Sequence, residues 1–326
     1  MSRRFRLAIL SDVHYAGPRE RAEGDDYEYR VIENRLLRFA IRQYRHHIWL
    51  RYPLRQNGQL DRFLAEVPAV DYAIANGDYS CNTSAFGLSD DAAMESAQEC
   101  VGKLRQKFGG RLRLNFGDHE LGKLRLMGTR GGLRLKSWER SIAELGVRPF
   151  WKLELGRNVL FNCTSTLIAL PAFAADMLPA ERATWEKLRA EHFAEIRAAF
   201  AALQPGQRVL FFCHDPTALP FLERDEVIRA RLGQVERTII GHLHSNFYLR
   251  LSRLLSGIPA INCCGHSVQR MSGALREARQ WKPFRVLLCP SLAGIELLKD
   301  GGYYTVDLEE EAATPAQFHF HPLPRQ

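Results

Sequence analysis

Leu114-Asn115-Phe116-Gly117-Asp118-His119-Glu120-Leu121 is a short apolar run that stops at a glycine and then presents an aspartate, a histidine and a glutamate in succession. Taken alone it reads as a turn with solvated charges. The same arrangement recurs along the chain, in FRLAILSDVH (5–14), VDYAIANGDYS (70–80), NVLFNCTST (158–166), QRVLFFCHDP (207–216) and RTIIGHLHSN (237–246). Each reads as a buried strand that ends by placing polar residues in the loop at its carboxyl end. The strand ends carry Asp12 and His14, Asp78, Asp118 and His119, Asn162, His214, and His242 and His244. Helical stretches at 91–107, 180–203 and 222–233 separate the runs, so strands and helices alternate and an α/β fold is expected. The segments GGYYTVDLE (301–309) and FHFHPL (318–323) read as a closing hairpin or edge pair. In open α/β sheets, ligand chemistry gathers at the carboxyl ends of strands, where these residues lie.

Bulk properties narrow the classes without choosing among them. The chain has 326 residues, 46% apolar and 25% charged, enough for one large α/β domain or two smaller ones. Its net charge of +8 points to anionic ligands, an anionic membrane surface or nucleic acid. Seven cysteines, with no CxxC pair, suit reduced thiols rather than a disulfide framework. The apolar run after the basic start is only about four residues, short of a secretory core, and no stretch approaches the roughly 18 apolar residues of a membrane span. The expected location is the cytoplasm.

In SDVH and GHLH the candidate ligands stand at i and i+2. On extended backbone that spacing puts both side chains on one face, so each pair can point into one cavity. Histidine and carboxylate groups converging from several strands offer the N and O donors that a divalent ion needs.

The order Asp12-Val13-His14, Gly77-Asp78, Gly117-Asp118-His119-Glu120, His214 and Gly241-His242-Leu243-His244 resembles the calcineurin-like metallophosphoesterase superfamily, over residues 6 to about 310. The resemblance implies an α/β fold: a four-layer α/β/β/α sandwich of two mixed sheets flanked by helices, with one domain over 1–326. It implies two divalent metal ions, manganese first, with iron or zinc also compatible. Asp12, His14, Asp78 and His244 would hold one ion; Asp78 would bridge to the other, completed by Asp118, His214 and His242. His119 would stand beside the site as general acid. A water activated between two such ions would attack phosphorus, so the implied enzyme is a hydrolase of phosphate esters or pyrophosphates.

The chain departs from that pattern at Asp118, where the family carries asparagine. A third carboxylate should hold metal more tightly and attract an anionic substrate less, and it removes an amide donor. Basic residues follow in GKLRLMGTRGGLRLKSWER, of which Lys123, Arg125, Arg130 and Arg134 are the candidate substrate-binding groups. Glu120 has two readings, orienting a partner or lying on the surface.

The 66 residues from Asp12 to Asp78 exceed one crossover, and an insert is expected at about 18–66. Read as a helix over 29–52, Tyr29, Ile32, Leu36, Ala40, Tyr44 and Ile48 form an apolar stripe opposite Arg35, Arg38, Arg42 and Arg45. One reading packs that stripe on the core with the arginines solvated; the other lays a basic amphipathic helix on the inner membrane face or over a lipid-linked substrate, with Trp49, Leu50 and Tyr52 as anchors. His46, His47, His319 and His321 read as structural or surface residues, and His266 as a residue that could line the pocket.

The leading expectation is a dinuclear phosphohydrolase acting on a small or lipid-linked phosphodiester or pyrophosphate. The alternatives are a catalytically inactive scaffold on the same fold, or a nuclease. Nucleic acid is the weaker partner, because basic and aromatic residues interleave only at 44–52.

Overall fold

A computed structural model describes residues 3–26, 29, 32–81, 86–123, 131–262 and 266–323, apart from the side chain of Ser267. The alternation of apolar runs and helices produces two five-stranded sheets. In the first, β1 (Arg4–Leu10), β2 (Tyr72–Ala75) and β3 (Leu112–Leu114) run parallel. β9 (Gly302–Glu309) lies antiparallel to β1, and β10 (Gln317–Pro322) antiparallel to β9. The second sheet has β4 (Lys152–Leu155) antiparallel to β5 (Asn158–Cys163), followed by β6 (Arg208–Cys213), β7 (Val235–Ile240) and β8 (Val286–Leu288), all parallel to β5. The strand orders are β10-β9-β1-β2-β3 and β4-β5-β6-β7-β8.

Period-two alternation sorts the core into layers. Phe5, Leu7 and Ile9 of β1 meet Leu160, Leu210, Phe212 and Ile239 of the opposite sheet, which fills the space between the sheets. Ala8 and Leu10 belong instead to the cluster containing Ala97, Val101 and Leu104 of the Asp91–Phe108 helix. Val159, Phe161, Val209 and Phe211 likewise share that cluster with Ile196 and Phe200 of the Arg182–Ala201 helix. Both sheets are therefore covered on both faces, the expected four-layer arrangement, and β5 is buried along its whole length.

Two helical expectations hold, at Asp91–Phe108 and Arg182–Ala201. The third is broken into Leu219–Glu223 and Glu226–Arg231, because Asp225 caps the second piece by accepting from the amides of Val227 and Ile228. The closing pair is an antiparallel hairpin, β9–β10.

The segment after β1 differs from its simplest reading. Its helix spans only Arg35–Tyr44, capped by Asn34, and passes into a π-helical turn at Arg45–Trp49. The stripe that one reading packs on the core keeps only Ile32 buried and faces outward along the helix, where Leu36 is 82% and Tyr44 42% exposed, with Phe39 beside them at 62%. Of the four arginines opposite it, Arg38 and Arg45 lie on the inner side, while Arg35 and Arg42 stay exposed. Arg38 donates to the carbonyl of Ile32, and Arg42 and Arg45 lie over the Tyr29 ring at 5.7 and 5.9 Å. The Asn57–Glu66 helix, by contrast, buries Leu60 and Phe63 as a crossover helix must, with Phe63 against Phe108 and Tyr303. No helix among the described residues is long and apolar enough to cross a membrane.

Candidate metal centre

The parallel strands of both sheets end on one edge, and the residues that follow them share an unusual backbone. Asp12, His14, Asp78, His242 and His244 all have φ between 49° and 60°, five of the eight non-glycine positive-φ residues among those described. A left-handed conformation costs a non-glycine residue about 1–3 kcal/mol and persists only where the surroundings enforce it. This corrects the expectation that the i, i+2 pairs converge because their backbone is extended. They converge through left-handed turns, in which the chain leaves the strand and bends back over the edge.

The turns are locked by close approach. At Gly241 a Cβ would lie 2.1 Å from Ser11 Oγ and 2.5 Å from Asp12 Oδ2; at Gly77 it would lie 2.4 Å from the Gly117 amide nitrogen. The loops also bond to one another. The amide of His242 donates to Asp12 Oδ1 at 3.0 Å, and that of His119 to Asp78 Oδ1 at 2.9 Å. Glu120 is fully buried and accepts from the amides of Asp78, Tyr79 and Gly117 at 3.0, 2.8 and 2.6 Å. It thus orients the loops after β2 and β3, which settles its two readings. Burial, with Asp78 adding to it, pushes the Glu120 carboxyl up to about 7.

Beside a group of His14, Asp78 and His119, the seven side chains predicted as ligands come together in three overlapping groups: Asp12, His14 and His244; Asp12, Asp78 and His214; and Asp118, His214 and His242. In the first, His244 Nε2 stands 3.3 Å from Asp12 Oδ1 and 3.1 Å from His14 Nε2. In the others, His214 Nε2 stands 3.2 Å from Asp78 Oδ2 and 3.5 Å from Asp118 Oδ1, and His242 Nδ1 lies 3.4 Å from the same Asp118 oxygen. Donor atoms about 2.1 Å from a common ion stand about 3.0–3.4 Å from each other, so these spacings suit ligation.

The tautomers agree. His214 Nδ1 bonds the carbonyl of Asn76 at 2.6 Å and must be the protonated nitrogen, which aims the Nε2 lone pair at the carboxylates. His14 Nδ1 likewise meets the Ser80 carbonyl at 3.3 Å. Burial pushes His14 down to about 4, with His119 adding to the effect, and burial beside His14 holds His244 well below the usual range. Both are therefore neutral imidazoles, the ligating form, and their Nε2 atoms face each other. At His214 burial opposes the charged form, yet Asp78 and Asp12 outweigh it and draw its pKa well upward. Such an arrangement of lone pairs and carboxylates fits cations, and the N and O donor set fits divalent ones.

Asp118 uses its two oxygens differently. Oδ1 faces His214 and His242, whereas Oδ2 accepts from Lys123 Nζ at 2.6 Å. Burial would raise the Asp118 pKa, but Lys123 and His242 outweigh it and hold the carboxyl well below the usual range. Lys123 is raised in turn: burial opposes its charge, and Asp118 and Asp78 overcome that opposition. The charge of the Asp118 carboxylate is thus offset within the chain by Lys123. His119 is 5% exposed, with Nε2 3.9 Å from Asp78 Oδ2 and its ring 4.7 Å from that of His14.

The remaining sequence candidates fare unevenly. Arg134 is turned away to the carbonyls of Leu133 and Gly131 and the face of Phe86, while Arg125 and Arg130 lie outside the described residues. Asn162 is structural, its Oδ1 accepting from the Trp151 amide at 2.7 Å. His46, His47 and His266 are exposed, and His321 bonds Thr305 within the hairpin. Two residues carried no signal in the sequence for a place near the site. The Trp49 ring packs 4.5 Å from that of His244, bringing the insert to the edge of the site. Arg270, bonded to Asp176 at 2.6 Å, is close enough to Lys123 to disfavour its charge.

No protein-family model matches the chain, and no curated protein matches it in sequence. Solved structures do align with it. A dimetal phosphatase from Danio rerio is 14% identical over 94% of this chain and 93% of its own, with a TM-score of 0.45. The phosphopantetheinyl hydrolase of Mycobacterium tuberculosis is 15% identical over 73% of this chain and 82% of its own, at 0.35. A purple acid phosphatase from yellow lupin is 8% identical over 98% of this chain and 54% of its own, at 0.42. Likenesses this distant leave the reaction to be argued from the residues themselves.

Proposed function

We propose that the chain is a dinuclear metal-dependent phosphohydrolase, acting on a phosphate ester or pyrophosphate and favouring a small or lipid-linked diester or pyrophosphate. The observation that carries the reading is the convergence of Asp12, His14, Asp78, Asp118, His214, His242 and His244 at one sheet edge, with Asp12, His14, Asp78 and His214 each belonging to two of the groups. In this reading Asp12, His14, Asp78 and His244 hold one divalent ion, and Asp78, Asp118, His214 and His242 the other. Manganese is the first choice. Two such ions supply positive charge for the phosphate oxygens and lower the pKa of a bound water.

The chain's own groups supply the rest. Lys123 offsets the Asp118 charge and directs its remaining ammonium protons to a phosphate oxygen, in place of the missing amide donor. His119 gives its proton to the departing oxygen; burial holds its pKa below the ordinary histidine value, and the Asp78 carboxylate offsets part of that effect. Glu120 and the glycine contacts keep these groups in position before substrate arrives. The basic insert offers a partner surface toward a membrane, separate from the chemistry.

The test is hydrolysis of bis(p-nitrophenyl) phosphate and p-nitrophenyl phosphate by metal-stripped protein, with and without added Mn²⁺. Manganese-dependent turnover that Asp78→Asn abolishes supports the reading. Folded protein with no turnover of either ester under any divalent metal favours a scaffold.

A further inference from the structure

We propose that the outward apolar side of the Arg35–Tyr44 helix is a docking surface for an anionic lipid bilayer, placed beside the metal centre. The helix buries none of its residues. Leu36 and Phe39, three positions apart and so on one side, are 82% and 62% exposed, while Arg38 and Arg45 turn inward. A helix packed on a core shows the reverse arrangement, and an interfacial helix shows this one.

The apolar exposure continues where the helix ends. Tyr44 bonds Tyr248 at 2.7 Å, and the neighbouring Phe247 is 42% exposed. The amide of Leu297 donates to the Ile48 carbonyl at 3.2 Å, and Leu297 and Leu298 are about half exposed. Trp49 connects this patch to the site, its ring 5.3 Å from Tyr248 and 4.5 Å from His244.

Charge selects the occupant. Between Glu33 and Asp61 the sequence carries six arginines and no acidic residue. Arg35, Arg42, Arg51 and Arg250 are exposed; Asp26 offsets Arg42, and Asp25 offsets Arg55. Phe39 also borders a cavity of about 860 Å³ whose walls include Arg35, Arg38, Arg42 and Arg51, with Glu23, Asp25 and Asp26 as counter-charges. A second copy docked on this patch about a two-fold axis would bring the same arginines face to face. A bilayer with anionic headgroups receives the apolar side chains and the arginines together. The surface stands without the catalytic reading; only its consequence rests on that reading, namely that Trp49 and His244 lie where a phosphate at the lipid surface would enter.

The experiment is co-sedimentation of the full chain with vesicles of phosphatidylcholine, with and without phosphatidylglycerol, alongside a Leu36→Ser/Phe39→Ser variant and light scattering for oligomeric state. The expected result is binding that requires phosphatidylglycerol, weakens with salt and falls on the order of 100-fold in the variant. The variant should keep the parent's turnover of bis(p-nitrophenyl) phosphate. Failure of the full chain to bind, or equal binding by the variant, overturns the proposal. A dimer that the variant converts to monomer overturns it in favour of a second copy. Absent ester turnover with intact vesicle binding counts against the catalytic reading alone.

Discussion

Replacing Lys123 with methionine should lower the stability of the metal-free protein while tightening its hold on metal. The pair it breaks is short, 2.6 Å, with side-chain exposures of 23% for Lys123 and 4% for Asp118. Methionine keeps most of the apolar stem and removes only the charge, leaving the Asp118 carboxylate buried without its strongest cationic partner. Removing one member of a buried pair costs about 3–5 kcal/mol, and the partial exposure of Lys123 places this case near the lower end, about 3 kcal/mol. Asp118→Asn should also destabilise, since it leaves the ammonium facing a neutral amide. The double variant removes both charges and should recover about 2 kcal/mol of the summed loss. Urea denaturation in excess chelator, with all four proteins, measures the cycle. Titration with Mn²⁺ measures the second effect: an unneutralised Asp118 should bind on the order of tenfold more tightly at its site. Losses that add to within about 0.5 kcal/mol in the double variant, or metal affinity unchanged by Lys123→Met, would refute the claim that lysine neutralises this carboxylate.

Three further outcomes follow from the same geometry. His119→Ala should retain two metals and lose on the order of 100-fold in turnover of an ester with a poor leaving group, but far less with p-nitrophenolate, which leaves without a proton; equal losses on both would rule out the general-acid role. Gly241→Ala drives a methyl into Ser11 and Asp12, so it should cost about 1–3 kcal/mol and weaken metal binding, both read from chelator-dependent melting curves. Glu120→Ala strands three buried amides and should cost on the order of 4 kcal/mol in urea denaturation, whereas a loss below about 1 kcal/mol would show that the loops after β2 and β3 hold without it.

Much of the fold was legible because each core strand is a run of apolar residues closed by a polar cluster, and buried parallel strands have that signature. β4 and β8 were not, since Lys152–Leu155 alternates with charge on an edge and Val286–Leu288 is only three residues long. The positions that converge at the sheet edge could be read from their order. Their backbone could not: left-handed aspartates and histidines are enforced by contacts between loops distant in sequence, such as the His242 amide on Asp12. The insert shows a different limit. Periodicity reveals that the Arg35–Tyr44 helix has an apolar side but carries no information about where that side points. Its direction goes with contacts outside the helix, the Ile32 carbonyl taking Arg38 and the Tyr29 ring taking Arg45. The Lys123–Asp118 bond joins residues five apart across a turn, a spacing with no regular signature.

The central claim is that seven side chains form two adjoining divalent-metal sites. The most direct measurement is calorimetric titration of metal-stripped protein with Mn²⁺, repeated on His244→Ala and His242→Ala. The account predicts two ions per chain in the parent and one in each variant, with a different ion lost in each. A single ion in the parent, or two retained in both variants, would contradict it.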